Sequence, residues 1–224
     1  MSQDDVTTLI AVRHGETAWN RATRIQGHLD IPLNATGRAQ AQRVAQALAG
    51  ETVHAVYASD LRRAAQTADA IAAGLNLPVQ YDIGLRERAF GVFEGLTWAE
   101  IERDWPAECL RWRQRDPDFG APGGEVLKDF YQRCIDTIAG LAQRHPGQTL
   151  VIVAHGGVMD CLYRAGSRVS LQTARSWTLG NATINRLIYS PEGFNLIGWN
   201  DDFHLEGLSL DETSDGALDD DSKR

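Results

Sequence analysis

Short apolar runs alternate along this chain with longer stretches whose apolar residues recur every three or four positions. The first run, Thr7-Thr8-Leu9-Ile10-Ala11-Val12, is β-branched and apolar and reads as a buried strand. Asn34 can cap a helix over about 35–49, rich in Ala and Gln, which Gly50 stops. Val53 to Ala58 reads as a second strand, and the Ala-rich stretch from Leu61 to Ala73 as a helix ended by Gly74. A third short strand fits Pro78 to Tyr81, and Thr97-Trp98-Ala99-Glu100 has the capping-box pattern that opens a helix. Over about 125–144, Leu127, Phe130, Tyr131, Cys134, Ile138 and Leu141 fall on one helical stripe. Thr149 to Ala154 is the clearest strand. A helix follows Gly157, and two further strands fit Thr183–Tyr189 and Phe194–Trp199. Strands alternating with helices predict an α/β fold, a three-layer α/β/α sandwich around a mostly parallel sheet.

Composition narrows this picture in two places. The three cysteines, Cys109, Cys134 and Cys161, show no CxxC pairing and read as reduced, buried thiols of a cytosolic, cytoplasmic protein. No apolar run is long enough to span a bilayer, and the acidic N-terminus lacks the pattern of a secretory signal. The net charge of −8 is unevenly spread: residues 201–224 hold nine acids against Lys223 and Arg224, leaving residues 1–200 close to neutral. From Ser209 onward the chain is rich in Asp, Ser and Gly, which predicts a disordered, solubilising tail over 209–224 behind a single catalytic domain over 1–208. Without a basic excess in that domain, nucleic acid is not an expected partner.

The chemistry gathers where the predicted parallel strands end, which is where such folds bind ligands. The first strand runs into Arg13-His14-Gly15 and the second into Ser59-Asp60-Leu61-Arg62-Arg63. Leu85-Arg86-Glu87-Arg88 follows the third, and His155-Gly156-Gly157 the fourth. Singly, each residue has an ordinary explanation: a hydrogen-bonded histidine, a solvated arginine, a salt-bridged surface acid. Jointly, two histidines, several arginines and an acid at one sheet edge are much harder to dismiss. Common phosphate and metal signatures fail on spacing. The chain holds no GxxxxGK[ST], GxGxxG or HExxH motif, and six residues, where a cysteine phosphatase needs five, separate Cys161 from Arg168.

These blocks resemble the histidine phosphatases, the phosphoglycerate mutase-like superfamily. The Arg-His-Gly signature stands at Arg13-His14-Gly15-Glu16-Thr17, followed by Trp19-Asn20, Gln26-Gly27, Asp30-Ile31-Pro32-Leu33, Gly37 and Gln40-Ala41. The Ser-x-Leu-x-Arg-Ala block is Ser59-Asp60-Leu61-Arg62-Arg63-Ala64, running on to Thr67-Ala68. Ala154-His155-Gly156-Gly157 and Asn181-Ala182-Thr183-Ile184-Asn185 complete the series. One departure is Gly123-Gly124-Glu125-Val126, where the family often has Ser last, so a hydroxyl cap or contact is lost.

The resemblance implies a phosphatase acting on small phosphorylated metabolites through a phosphohistidine on His14. Gly15 is expected to leave room for substrate. Arg13 and Arg63 suit the phosphoryl oxygens because guanidinium forks bind phosphate bidentately. His155 is expected as a further donor, cationic once a dianion is bound. Glu87 is expected as general acid, which requires that Arg86 and Arg88 point away from it. Asn20, Gln26, Gly27 and Gly156 are expected as secondary phosphate or substrate contacts, and Glu16 and Asp60 as groups that orient arginines or cap a helix. No metal is required.

The 96–124 insertion, with Trp98, Trp105, Trp112, Arg111, Arg113 and Arg115, is expected to cover the pocket. Its ordinary reading is a helix pair with core tryptophans and solvated arginines, and an inward arginine would favour a second anionic group on the substrate. The alternatives are a phosphoglycerate mutase dependent on 2,3-bisphosphoglycerate and a catalytically silent phosphate-binding regulatory protein. Phe90-Gly91-Val92-Phe93-Glu94-Gly95 and the shortness of the insertion favour the phosphatase. A homodimer is left open.

Overall fold

Alternation along the first strand sets the layering. In the computed structural model, which describes residues 6–208, β1 (Thr7–Arg13) turns Leu9 and Ala11 to one face and Ile10 and Val12 to the other. β4 (Thr149–Ala154) lies beside it in parallel and divides the same way, Leu150 and Ile152 against Val151 and Val153. On the first face pack α6 (Leu127–Gln143), through Phe130, Cys134, Ile138 and Leu141, and α7 (Gly156–Ser167), through Val158 and Leu162. On the second pack α2 (Ala35–Leu48), through Val44 and Leu48, and α3 (Arg62–Leu75), through Ala64, Ala68 and Ile71. Both faces of the strands are therefore apolar, and each fully buried Val, Leu or Ile contributes about 1.5–3 kcal/mol. The three-layer expectation holds.

β2 (Ala55–Ala58), β3 (Val79–Tyr81), β4 and β1 are parallel, whereas β5 (Ile184–Ser190) and β6 (Gly193–Asp201) form an antiparallel edge. Among the described residues these make one six-stranded sheet, in the order β3-β2-β4-β1-β5-β6. The register pairs Arg13 with Ala154 and Ala58 with Val153, so the residues that follow β1, β2 and β4 emerge side by side.

The local boundaries differ from expectation in three places. α3 runs through Gly74 to Leu75 and stops at Asn76, whose left-handed backbone (φ 54°) a short amide side chain tolerates. α6 begins two residues later than expected; the Glu125 amide donates to the carbonyl of Ala89 at 2.8 Å, and its side chain pairs with Arg133. Val126 then sits at its N-cap with no side-chain bond, consistent with the lost hydroxyl. A short helix, α1 (Ala18–Arg21), was not anticipated; Thr17 and Asn20 cap it reciprocally. The capping box at Thr97 and Glu100 does open α4 (Trp98–Asp104), which with α5 (Pro106–Arg113) builds a separate small core of Ile25, Phe93, Ile101 and Trp112. The three cysteines are free and buried. The expected tail over 209–224 lies outside the described residues.

α2 docks on the loop after β1 by backbone contact. A Cβ on Gly37 would stand 2.1 Å from the carbonyl oxygen of Glu16, and one on Gly15 would stand 2.4 Å from that of Gly37. Gly15 therefore makes room for the helix and not for substrate, which corrects the sequence expectation. Gly37→Ala, which in an ordinary helix would stabilise by about 0.5–1 kcal/mol, is predicted to destabilise by about 1–3 kcal/mol through overpacking. Urea unfolding reads this as a lowered midpoint at unchanged slope. A raised midpoint would show that the close approach is not a constraint.

Candidate active site

β1 and β4 deliver the two histidines to one point. The His14 amide donates to the carbonyl of Ala154 at 2.9 Å, and the His14 and His155 ring centroids lie 5.3 Å apart. His14 Nδ1 is 2.7 Å from the carbonyl oxygen of Gly15. A carbonyl can only accept, so Nδ1 carries the proton and the lone pair stays on Nε2, which is buried with no hydrogen-bond partner. Burial, with Arg63 and Arg13 beside it, holds the His14 imidazole well below its usual range. His155, the N-cap of α7, is equally buried, both its ring nitrogens lack partners, and burial followed by Arg63 lowers it in the same way. Surrounded by protein groups alone, both imidazoles are neutral at pH 7. The cationic His155 expected from the sequence therefore needs the charge of a bound dianion to form.

The arginines are fixed by carbonyls. Arg63, on the first turn of α3, donates from Nη1 to Leu29 at 2.9 Å and from Nη2 to Gly27 at 2.8 Å. Arg13 donates from Nη1 to the carbonyl of Leu179. Both side chains are essentially fully buried. Thr67, which sequence reasoning did not single out as a site residue, joins α3 to the histidine loop. Its Oγ1 donates to the Arg63 carbonyl at 2.8 Å and accepts from the Gly15 amide at 3.1 Å. From the other side, Asn181 Nδ2 donates to the His14 carbonyl at 2.9 Å. Gly27, expected as a ligand contact, meets Arg63 through its carbonyl, and its backbone is left-handed (φ 52°).

Glu87 sits beneath the start of α7. Its Oε2 accepts from the Gly157 amide at 2.9 Å and its Oε1 from the Arg88 amide at 2.8 Å. A Cβ at position 157 would stand 2.2 Å from Oε1, so only glycine admits the acid there. Arg133, also not anticipated, clamps the loop. It forms a two-bond ion pair with Glu125 (2.8 Å each) and donates to the carbonyls of Gly84 and Arg86 at 2.8 and 3.0 Å. A ring nitrogen of His28 bonds the Glu87 carbonyl at 2.8 Å.

The two flanking arginines behave differently. Arg86 turns away to Asp60, with Nε to Oδ1 at 2.7 Å, as expected for an arginine oriented by that acid. Arg88 does not leave: Nε and Nη2 donate to the carbonyls of Glu125 (2.9 Å) and Phe119 (2.6 Å), and its charge still interacts with Glu87. Burial pushes Arg88 down to about 10, so it remains charged at neutral pH. The expectation that both point away is thus half corrected.

Among the secondary positions, Asn20 Oδ1 accepts from the Thr17 amide and hydroxyl at 3.0 and 2.9 Å, and Gln26 Oε1 accepts from the same hydroxyl at 3.0 Å. Gln26 Nε2 remains a buried donor without a partner. Gly156 is the first residue of α7. Glu16 bonds Asn34, the N-cap of α2, and so buttresses a cap and not an arginine.

The side chains of His14, His155, Arg13, Arg63 and Glu87 are closed off from solvent, and a cleft begins at Arg88 and Gly157, whose amides bond Glu87. Phe90, Trp112, Phe130 and Leu179 form its apolar wall, and Arg115, Arg175, Asp160 and Cys161 line the rest. Trp112 stacks on Phe90 and Phe93 with centroids at 4.9 and 5.6 Å, so the core-tryptophan expectation holds. Of the arginines over 103–115, Arg103, Arg111 and Arg113 are spent on surface pairs with Asp104, Asp116 and Glu102. Arg115 instead turns inward to Asp160 at 2.8 Å.

A profile of the histidine phosphatase superfamily (branch 1) matches residues 9–202. The chain belongs to that superfamily. It is 38% identical over 205 residues to phosphoglycerate mutase-like protein 4 of Arabidopsis thaliana, a match covering 90% of this chain and 88% of that protein. It is 34% identical to a metal-independent phosphoserine phosphatase of Arabidopsis thaliana, covering 93% and 87%. The solved structure of YhfR from Bacillus stearothermophilus superposes with a TM-score of 0.84 at 32% identity, covering 89% of this chain and all of that one (100%). Among the described residues no helix is long and apolar enough to cross a membrane, and no cluster of three or more potential ligands could hold a metal ion.

The depressed histidines bear on stability. The folded chain keeps both imidazoles neutral, whereas the unfolded chain takes up their protons as the pH falls below about 6.5. Their contribution is therefore complete above that pH and is lost as the pH drops through it. His155→Gln is predicted to flatten the loss of stability between pH 6.5 and 5 by up to about 1 kcal/mol per pH unit. Urea unfolding across that range measures it, and parallel profiles for the two proteins would contradict buried neutrality.

Proposed function

We propose that this histidine phosphatase hydrolyses small phosphomonoesters in two in-line displacements at His14. The observation that carries the reading is the Nδ1 bond to Gly15, which leaves a buried, neutral imidazole with its Nε2 lone pair unused. In the first step Nε2 attacks phosphorus, the ester P–O bond breaks, and Glu87 passes its proton to the departing alkoxide. In the second, water attacks the phosphohistidine, the P–N bond breaks, and Glu87 takes the water's proton while inorganic phosphate forms. A phosphoryl dianion beside Glu87 works against a second negative charge, so binding itself favours the protonated acid. The same dianion draws a proton onto His155 and makes it a cationic donor.

Arg13 and Arg63 are read as holding the phosphoryl oxygens, with Asn20, Gln26, Gly27 and the α7 amide at Gly156 around them. Their carbonyl contacts pre-set the forks, so little reorganisation is left for the transition state. These side chains supply the positive charge, and the mechanism calls for no metal. The 96–124 segment is read as the cover over the leaving group. The mutase reading shares every step up to phosphohistidine, and the mutase or mutase-like names of several relatives favour it. It would need 2,3-bisphosphoglycerate to charge His14, and the compact Phe90–Gly95 turn argues for water as acceptor. Phosphate release measured against interconversion of 3- and 2-phosphoglycerate separates the two.

On a panel of phosphomonoesters, His14→Ala is predicted to lower kcat by at least about 10³-fold on the best substrate, as loss of a nucleophile does. Glu87→Gln is predicted to lower it by about 10²–10⁴-fold for alkyl esters, and much less for p-nitrophenyl phosphate, whose leaving group needs no proton. Full activity in His14→Ala would overturn the mechanism.

A further inference from the structure

The far half of the cleft holds a group that phosphoryl transfer does not use. Asp160 is 8% exposed and lines the cleft. Its Oδ2 takes Arg115 Nη2 at 2.8 Å and Arg164 Nε at 2.9 Å, while its Oδ1 is buried with no hydrogen-bond partner. Leaving a buried carboxylate oxygen unpaired is costly, and two guanidiniums on the other oxygen hold the group in place all the same. Arg115 is itself pinned, its Nε donating to the carbonyl of Leu171 at 2.6 Å. Its left-handed backbone (φ 50°) ends the α5 turn so that the side chain reaches inward.

Position along α7 says what Asp160 would meet. Gly157, which binds Glu87, and Asp160 are three residues apart and so share a helix face, about 4.5 Å apart along the axis. A leaving-group oxygen protonated by Glu87 therefore puts the next carbons of the leaving group beside Asp160. The cleft walls there carry Arg88, Arg115 and Arg175 against this one acid, with Phe90, Trp112, Phe130 and Leu179 beneath. That lining fits a short organic acid whose chain also bears a donor.

We propose that Asp160 is a specificity residue whose Oδ1 accepts a hydrogen bond from an ammonium or hydroxyl on the leaving group's second carbon. The proposal rests on the phosphatase reading of the same site and adds which leaving group it prefers. Arg115 and Arg164 are positioning residues that turn the carboxylate so that Oδ1 faces the incoming donor. In Asp160→Asn the amide must give its oxygen to the guanidiniums, and it then presents N–H where the substrate also presents a donor.

The test is a matched series of esters with the same carboxylate and a different second carbon: O-phospho-L-serine (ammonium), 3-phosphoglycerate (hydroxyl) and 3-phosphonooxypropanoate (neither). Wild-type kcat/KM is predicted to be at least about tenfold higher for one or both donor-bearing esters than for the propanoate ester, as a hydrogen bond to a charged group allows. Whichever gains more identifies the donor the cleft is built for. In Asp160→Asn, checked for folding by thermal unfolding, that ratio is predicted to fall to within about threefold of unity, which mere structural damage would not single out. Equal wild-type rates on all three esters overturn the proposal even if the variant does not fold. A preference that survives in Asp160→Asn overturns it too. Failure of the wild type to hydrolyse any ester, p-nitrophenyl phosphate included, would instead sink the phosphatase reading, and this inference with it.

Discussion

One hydrogen bond, from His14 Nδ1 to the carbonyl of Gly15, decides which nitrogen of the imidazole carries the proton and which keeps its lone pair. The neighbouring elements serve to keep that bond in place. Thr67 takes the Gly15 amide, Asn181 takes the His14 carbonyl, and the Gly15–Gly37 approach leaves the loop no slack. The loop in turn hangs from β1, whose register against β4 brings His155 alongside. A tautomer is thus chosen by a chain of contacts that begins in the alternation of Leu9, Ile10, Ala11 and Val12.

The same arrangement carries a cost in stability. Arg13 and Arg63 are buried beside two imidazoles that cannot offset their charge, and desolvating each cation costs several kcal/mol after relaxation. Carbonyls of Leu179, Leu29 and Gly27 are among the groups that recover part of this, and they hold the guanidiniums in fixed orientations. Glu87 is anchored separately, by the backbone amides of Arg88 and Gly157 and by a loop that the Arg133–Glu125 pair clamps.

Much of this was legible in the chain, because each of these residues follows a strand that its own apolar pattern announces. Arg13, His14, Arg63 and His155 follow runs of β-branched or small apolar residues, and parallel pairing then brings them to one edge. The third layer also followed from the stripe Phe130, Cys134, Ile138, Leu141. What stayed hidden are contacts between segments with no common period. Nothing in the spacing joins Thr67 to Gly15, Arg133 to the loop around Glu87, or Asp160 to Arg115. Gly15 was misread for a related reason: a glycine beside a reactive residue suggests room for substrate, and only the packed helix shows that α2 takes the space. Arg88 was misjudged because the carbonyls of Phe119 and Glu125, which hold it near the acid, belong to a segment with no signal pointing back to it.

The central claim concerns a single atom, and it can be tested on that atom. Wild-type protein mixed with a ³²P-labelled ester, quenched in alkali within the first turnover and digested, is predicted to carry its label on the peptide containing His14. The bond should be stable to base and labile to acid, and ³¹P NMR of the trapped protein should show the Nε2-phosphorylated isomer, since Nδ1 is committed to Gly15. Label on Nδ1, on another residue, or on no residue while phosphate is released would contradict the account.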